Sequence, residues 1–222
     1  MKVVREPLIL DSKEYARDYG VERSLGCHLM VVVEHIKRVS GIGKQFKDDY
    51  DEQEKERLRT PGFIWERVMS EHSRRVIGDN GLSFPGEMLY CVDCDDVMQG
   101  GRDAREHLKS RRHKGIFFTP DAIMHPPHYR YGALEWKYTW KSSRRTGDNH
   151  LNDIWEWPVQ LGWNTYMVGS NYGEVLAMFA QGDYSSGRPK MEPYRFQIEW
   201  DKRELERNKT MIISAAKSEG WV

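Results

Sequence analysis

The spacing Cys91-x2-Cys94-x12-His107-x5-His113 restricts the fold of this chain more than any other feature of its sequence. A tetrahedral zinc site needs a tight knuckle to supply two thiolates and a following helix to supply two imidazoles. The Gly100-Gly101 break precedes a run, RDAREHLKSRRH, that is expected to be helical and to carry both histidines. Met98 and Ala104 stand where a small core would form, and Leu89 precedes the knuckle. That is too little apolar surface for the segment to fold without its metal. A zinc-bound module over residues 88–114, with Cys91, Cys94, His107 and His113 as ligands, is therefore expected. The alternative is a Cys-x-x-Cys loop beside two solvated histidines.

The chain has 222 residues, enough for one sizeable domain with a small module inside it. Lys plus Arg and Asp plus Glu both number 34, so no global field draws the molecule to nucleic acid or to an anionic membrane, and any such attraction is local. Mean hydropathy is −0.76. No apolar run approaches a membrane span, and MKVVREPLILDSKEY has no signal-peptide core, so a soluble, cytoplasmic protein without a membrane partner is expected. With three cysteines in all, a disulfide framework is excluded. The pair Cys27-His28 reads as core, with a place in some other metal site as the alternative.

Along the chain, residues 1–59 read as a helical N-terminal region. A helix is expected over 11–38, closing at Gly41 and Gly43, and a polar connector over 44–59. Thr60-Pro61 caps a helix running through GFIWERVMSEHSRRV, on which Phe63, Glu66 and Met69 fall on one face. IFFTPDAI reads as a strand, HPPHYRYG as a turn and GALEWKYTW as a second, antiparallel strand. Alternation puts Ala133, Glu135, Lys137 and Thr139 on one face of that strand and Leu134, Trp136, Tyr138 and Trp140 on the other. A helix over about 157–169, strands near EVLAMFA and YRFQIEW, and a last helix capped by Asp201 with Glu204 three residues on complete an α/β (α+β) core.

Pro120-Asp121 and Glu135-x-Lys137 bring two carboxylates and a lysine to one end of the expected hairpin. Two carboxylates with no Arg between them are costly unless a divalent cation sits there, and oxygen ligands of this kind suit Mg2+ or Mn2+. Lys137 would then orient or deprotonate a water for attack on phosphorus. A Glu-x-Lys on a strand edge is also a common solvent-facing ion pair.

In these motifs the chain resembles the PD-(D/E)XK nuclease superfamily over about 60–220, and within it the RecB-like exonucleases of the CRISPR-associated and phage-encoded group. The helix carrying Glu66 looks like the first motif, and Gln160-Leu161 like the start of the RecB-type fourth motif. Where a tyrosine is expected four residues after Gln160 the chain has Asn164, with Tyr166 two further on; His72 lies six residues beyond Glu66. The four-cysteine iron–sulfur cluster of many relatives is not available. The resemblance implies a restriction-endonuclease-like core over 60–222, a mixed central sheet flanked by helices. It also implies Glu66, Asp121, Glu135, Lys137 and Gln160 as catalytic residues, and Mg2+ or Mn2+ on Asp121, Glu135, Glu66 and Trp136.

The finger resembles matrin-type and spliceosomal-type zinc fingers, with YC-x-x-C-D at its start and HLKSRRHK at its end; those relatives bind double-stranded RNA, DNA or protein. Arg102, Arg105, Lys109, Arg111, Arg112 and Lys114 outnumber Asp103 and Glu106, and Lys141, Arg144 and Arg145 form a second basic cluster. Both suit phosphate contacts. The expectation is a metal-dependent deoxyribonuclease, an exonuclease acting in phage DNA replication or recombination within a bacterial host cell, beside DNA and a recombination or replication protein. The alternatives are a nuclease-fold nucleic-acid binder without turnover, or an endonuclease of restriction or resolvase type.

Overall fold

The computed structural model of the chain describes residues 26–41, 61–62, 64–69, 71, 81–139, 154–181 and 190–222. The expected 11–25 half of the first helix, the 44–59 connector, Phe63, His72, Trp140, Lys141, Arg144 and Arg145 lie outside them. The expected mixed α+β core is present, with its strands divided between two mixed sheets.

The first sheet has the order β1-β5-β3-β4, from Cys27–His28, Gly115–Phe118, Met88–Cys91 and Asp96–Gln99. The second has the order β2-β6-β7-β8-β9, from Leu82–Ser83, Ala122–Met124, Gly132–Thr139, Tyr172–Gln181 and Lys190–Glu199. IFFTPDAI is thus two strands: β5 belongs to one sheet and β6 to the other, and the chain bends at Thr119-Pro120-Asp121. A continuous apolar run does not show that a strand changes sheets, because its residues are buried on both sides of the bend. Asp121 accordingly sits in the bend before β6 rather than on the strand.

Among the described residues, helices α1 (Leu29–Val39), α2 (Arg102–Arg111), α3 (Glu156–Met167) and α4 (Lys202–Ser218) pack on these sheets. Residues 61–62, 64–69 and 71 are helical too, as the Thr60-Pro61 cap predicts. At residue 27 the chain is a strand, and helix α1 begins only at Leu29. Leu29, Val32, Val33 and Ile36 then give it one buried face at helical spacing. That face joins Tyr90, Ile116 and Phe118 of the first sheet, Trp163 of α3 and Ile212 of α4 in the largest core cluster. Asp201 caps α4 in a complete capping box with Glu204, as its sequence predicts.

In the second sheet the alternation along β7 holds. Ala133 packs with Trp157 and Leu161 of α3, while Leu134 and Trp136 pack on the opposite face with Leu82 and Met124. The parallel β7–β8 pair is joined through α3, which lies over the face bearing Ala133, Glu135 and Lys137. Where β7 passes β8, a Cβ on Gly132 would stand 1.9 Å from the Tyr172 carbonyl oxygen, so only glycine permits the approach. Among the described residues no helix is long and apolar enough to cross a membrane.

Candidate functional site

The β6–β7 register pairs Ala122 with Leu134, so one step beyond the ladder Asp121 lies opposite Glu135. Asp121 ends the pairing itself: its Oδ2 accepts a hydrogen bond from the Trp136 backbone N–H at 2.7 Å. A strand residue directs its N–H and C=O to the same side, so the Trp136 carbonyl also faces the Asp121 edge.

Glu135 is completely buried. Its Oε2 accepts hydrogen bonds from Lys137 Nζ at 2.7 Å and Gln160 Nε2 at 2.9 Å, and its Oε1 accepts one from Asn164 Nδ2. Gln160 and Asn164 stand at i and i+4 on α3 and so project from one face of it toward β7. Of the sequence-derived residues, the fold thus brings together Asp121, Glu135, Lys137 and Gln160, with Trp136 contributing backbone. Asn164 is the participant that sequence reasoning missed. The available signal was that α3 is buried nearly all round, where a polar side chain needs a partner.

The electrostatics couple these groups. Burial, then the charge of Glu135 and that of Glu66, push the Asp121 carboxyl well above its usual range, against the opposing pull of Lys137 and the Trp136 N–H. Burial by itself would lower the Lys137 ammonium, but Glu135, Asp121 and Glu66 outweigh it and hold Lys137 above the usual lysine range. The two carboxylates beside it thus favour the charged form of Lys137, which suits it to orienting a nucleophile or steadying developing negative charge. Glu66, half-buried on its helix, is near enough to act on both groups.

At the second site the ligand atoms of Cys91, Cys94, His107 and His113 all lie within 4.8 Å of one another. Cys91 Sγ is 3.3 Å from His107 Nε2 and 3.6 Å from His113 Nδ1; Cys94 Sγ is 3.5 Å and 3.3 Å from the same atoms. The two nitrogens are 3.4 Å apart. Bonds of about 2.3 Å to sulfur and about 2.0 Å to nitrogen give tetrahedral S···N edges of about 3.5 Å, so the group can hold one metal ion and is compatible with a structural zinc. One expectation is corrected: α2 carries His107, but it ends at Arg111, and a left-handed Arg112 (φ 54°) swings His113 back to the knuckle from beyond the helix. The small core of Ala104 and Met98 is as expected and also takes in Leu89, Phe117 and Leu108.

The finger is anchored to the larger core. Asp95, in the knuckle, accepts hydrogen bonds from Tyr90 Oη at 2.6 Å and from Lys209 Nζ of α4, whose ammonium also lies 5.0 Å and 5.1 Å above the Tyr90 and Tyr166 rings. Arg102, Arg105, Lys109, Arg111 and Arg112 are exposed on the outside of the module.

No protein-family model and no curated protein sequence matches the chain. Among solved structures, one described as the crystal structure of SSO0001 is similar at 11% sequence identity over 91% of this chain and 83% of that chain, with a TM-score of 0.46.

Proposed function

We propose that the chain is a metal-dependent nuclease that hydrolyses phosphodiester bonds in DNA. The observation supporting this most directly is the convergence of Asp121, a wholly buried Glu135 and a cationic Lys137 at the end of one hairpin, with Gln160 of α3 on the same carboxylate. A surface ion pair would not need a glutamate with no solvent exposure.

The residue types suit Mg2+ or Mn2+. Asp121, Glu135 and the Trp136 carbonyl are hard oxygen donors on one edge, Glu66 adds a further carboxylate nearby, and the burial and carboxylate repulsion that together raise Asp121 are what a divalent cation would offset. Such an ion, when bound, would supply Lewis-acid polarisation of the scissile phosphate. Lys137 orients the attacking water and steadies charge on the phosphoryl oxygens, while Gln160 holds Glu135 in place.

The Cys91, Cys94, His107 and His113 group is read as a structural Zn2+ site. Seven residues separate His113 from Asp121, and about 3.5 Å per residue keeps the finger beside the hairpin. Arg105, Lys109, Arg111 and Arg112, with Lys141, Arg144 and Arg145, would then contact phosphates of the same substrate. The finer reading is a RecB-like exonuclease of phage DNA replication or recombination in the bacterial cytoplasm, acting with a recombination or replication protein. It rests on the order of Pro120-Asp121, Glu135-x-Lys137 and Gln160-Leu161.

Incubation with labelled linear and circular DNA, single- and double-stranded, in Mg2+ or Mn2+ tests this. The expected result is degradation of linear DNA, lost by about 100-fold or more in Asp121→Ala, Glu135→Ala and Lys137→Ala with folding retained. Cleavage of circles would point to an endonuclease instead, and no cleavage of any substrate would overturn the proposal.

A further inference from the structure

We infer that Asn164 is a positioning residue that sets the plane of the Glu135 carboxylate for metal binding, an inference that rests on the nuclease reading above. Lys137 and Gln160 both donate to Oε2, and among the described residues Asn164 alone donates to Oε1. The last torsion of a glutamate is broad and roughly two-fold. Turning the carboxylate about the Cγ–Cδ bond moves both oxygens, so the Asn164 donor on Oε1, acting with the two donors on Oε2, holds its plane against that rotation.

Asn164 is itself held rigidly. It is completely buried, and its neighbour Trp163 is clamped edge-on by Tyr90 and Phe118, with ring centroids 5.5 Å and 6.2 Å away. Its Oδ1 is buried with no hydrogen-bond partner. The reverse orientation of the amide would set Oδ1 against Glu135 Oε1, acceptor against acceptor, so the contact with Glu135 dictates which way the group faces. A buried acceptor without a donor is destabilising. A nonpolar residue of similar size would avoid that cost, and asparagine meets a need that only the Nδ2 donor fills. An outer partner of this kind, gripping a ligand without touching the metal, typically changes metal affinity or activity by about 10–100-fold when removed.

The test is Asn164→Leu, which keeps the branched shape and loses the donor, beside Asn164→Ala, which carries the test if the larger residue does not fold. Mn2+ alone is titrated into each protein by calorimetry, and kcat and KM are measured on linear DNA with Mg2+. The expected result is a loss of about 10–100-fold in both Mn2+ affinity and kcat. KM for DNA, zinc content and circular dichroism should match the parent chain. Wild-type Mn2+ affinity and kcat in the variants of a chain that does cleave DNA would overturn the positioning role and leave the nuclease reading standing. A wild-type chain that neither binds Mn2+ nor cleaves would overturn both.

Discussion

Asp121 Oδ2 accepts the backbone N–H of Trp136 at 2.7 Å, closing the end of the β6–β7 ladder with a side chain where a strand residue would otherwise pair. This bond crosses from the bend between the two sheets to the middle of β7. It holds the first carboxylate of the candidate site beside the Glu135-Trp136-Lys137 segment that supplies the rest.

Lys137 should matter to stability as well as to chemistry. Replacing it by methionine leaves Glu135 buried with only the Gln160 and Asn164 amides, and stranding a buried charge costs about 3–5 kcal/mol. Urea denaturation should show Lys137→Met destabilised by that order, and Glu135→Gln added to it should recover part of the loss. A double variant no more stable than Lys137→Met would show that the ion pair is not what the lysine satisfies.

Protein purified without added metal should contain one zinc per chain by elemental analysis, and the Cys91→Ser/Cys94→Ser variant none. Because the module's own core is confined to residues such as Leu89, Ala104 and Phe117, metal loss should expose backbone amides of 92–114 to hydrogen exchange, while those of β3 and β5 stay protected by the larger core. Full zinc occupancy in the double variant would refute the ligand assignment.

Changing Arg105, Lys109, Arg111 and Arg112 together to alanine should weaken DNA binding at all sequences alike while leaving zinc in place. If all four contact phosphates, the slope of log K against log salt should flatten by about 3–4. An unaltered slope would mark the finger as structural or as a protein-docking surface.

Gly132→Ala should be strongly destabilising, because the new Cβ would meet a backbone carbonyl, which cannot rotate away. The β7–β8 pairing must shift, carrying Glu135 with it. A loss of about 2–4 kcal/mol in denaturant unfolding is expected, and a thermal midpoint equal to that of the parent chain would contradict it.

Glu174, buried on β8, predicts a pH dependence. Burial by itself would raise its carboxyl, but hydrogen bonds from Arg195, Tyr172 and Gln197 outweigh it and the group lies below its usual range. A lowered folded-state value contributes stability above the unfolded value of about 4.3, and loses it as pH falls through the folded one. Arg195→Ala should therefore cost about 2 kcal/mol at neutral pH, less than for a fully buried pair because Arg195 is half exposed, and progressively less in acid. A deficit that stays constant down to pH 3 would show that the charge pair is not its source.

Short-range pattern was enough for much of this molecule. The metal-ligand spacing from Cys91 to His113, the alternation along β7, the helix that begins at Pro61 and the Asp201–Glu204 capping box are each written within a few turns of chain. A local pattern records which side of an element is buried and how it begins. What the tertiary structure alone decided is which elements meet: that the run from Ile116 to Ile123 divides between two sheets, that His113 returns from beyond α2, and that Glu174 is buried against Arg195. Above all it decided that Asn164 reaches Glu135, a residue 29 positions earlier. In sequence Asn164 is one polar residue on an apolar helix. Its partner is set by the packing of α3 over β7, because a buried amide must spend its donors on whatever group the neighbouring element presents, and the sequence around Asn164 does not name that neighbour.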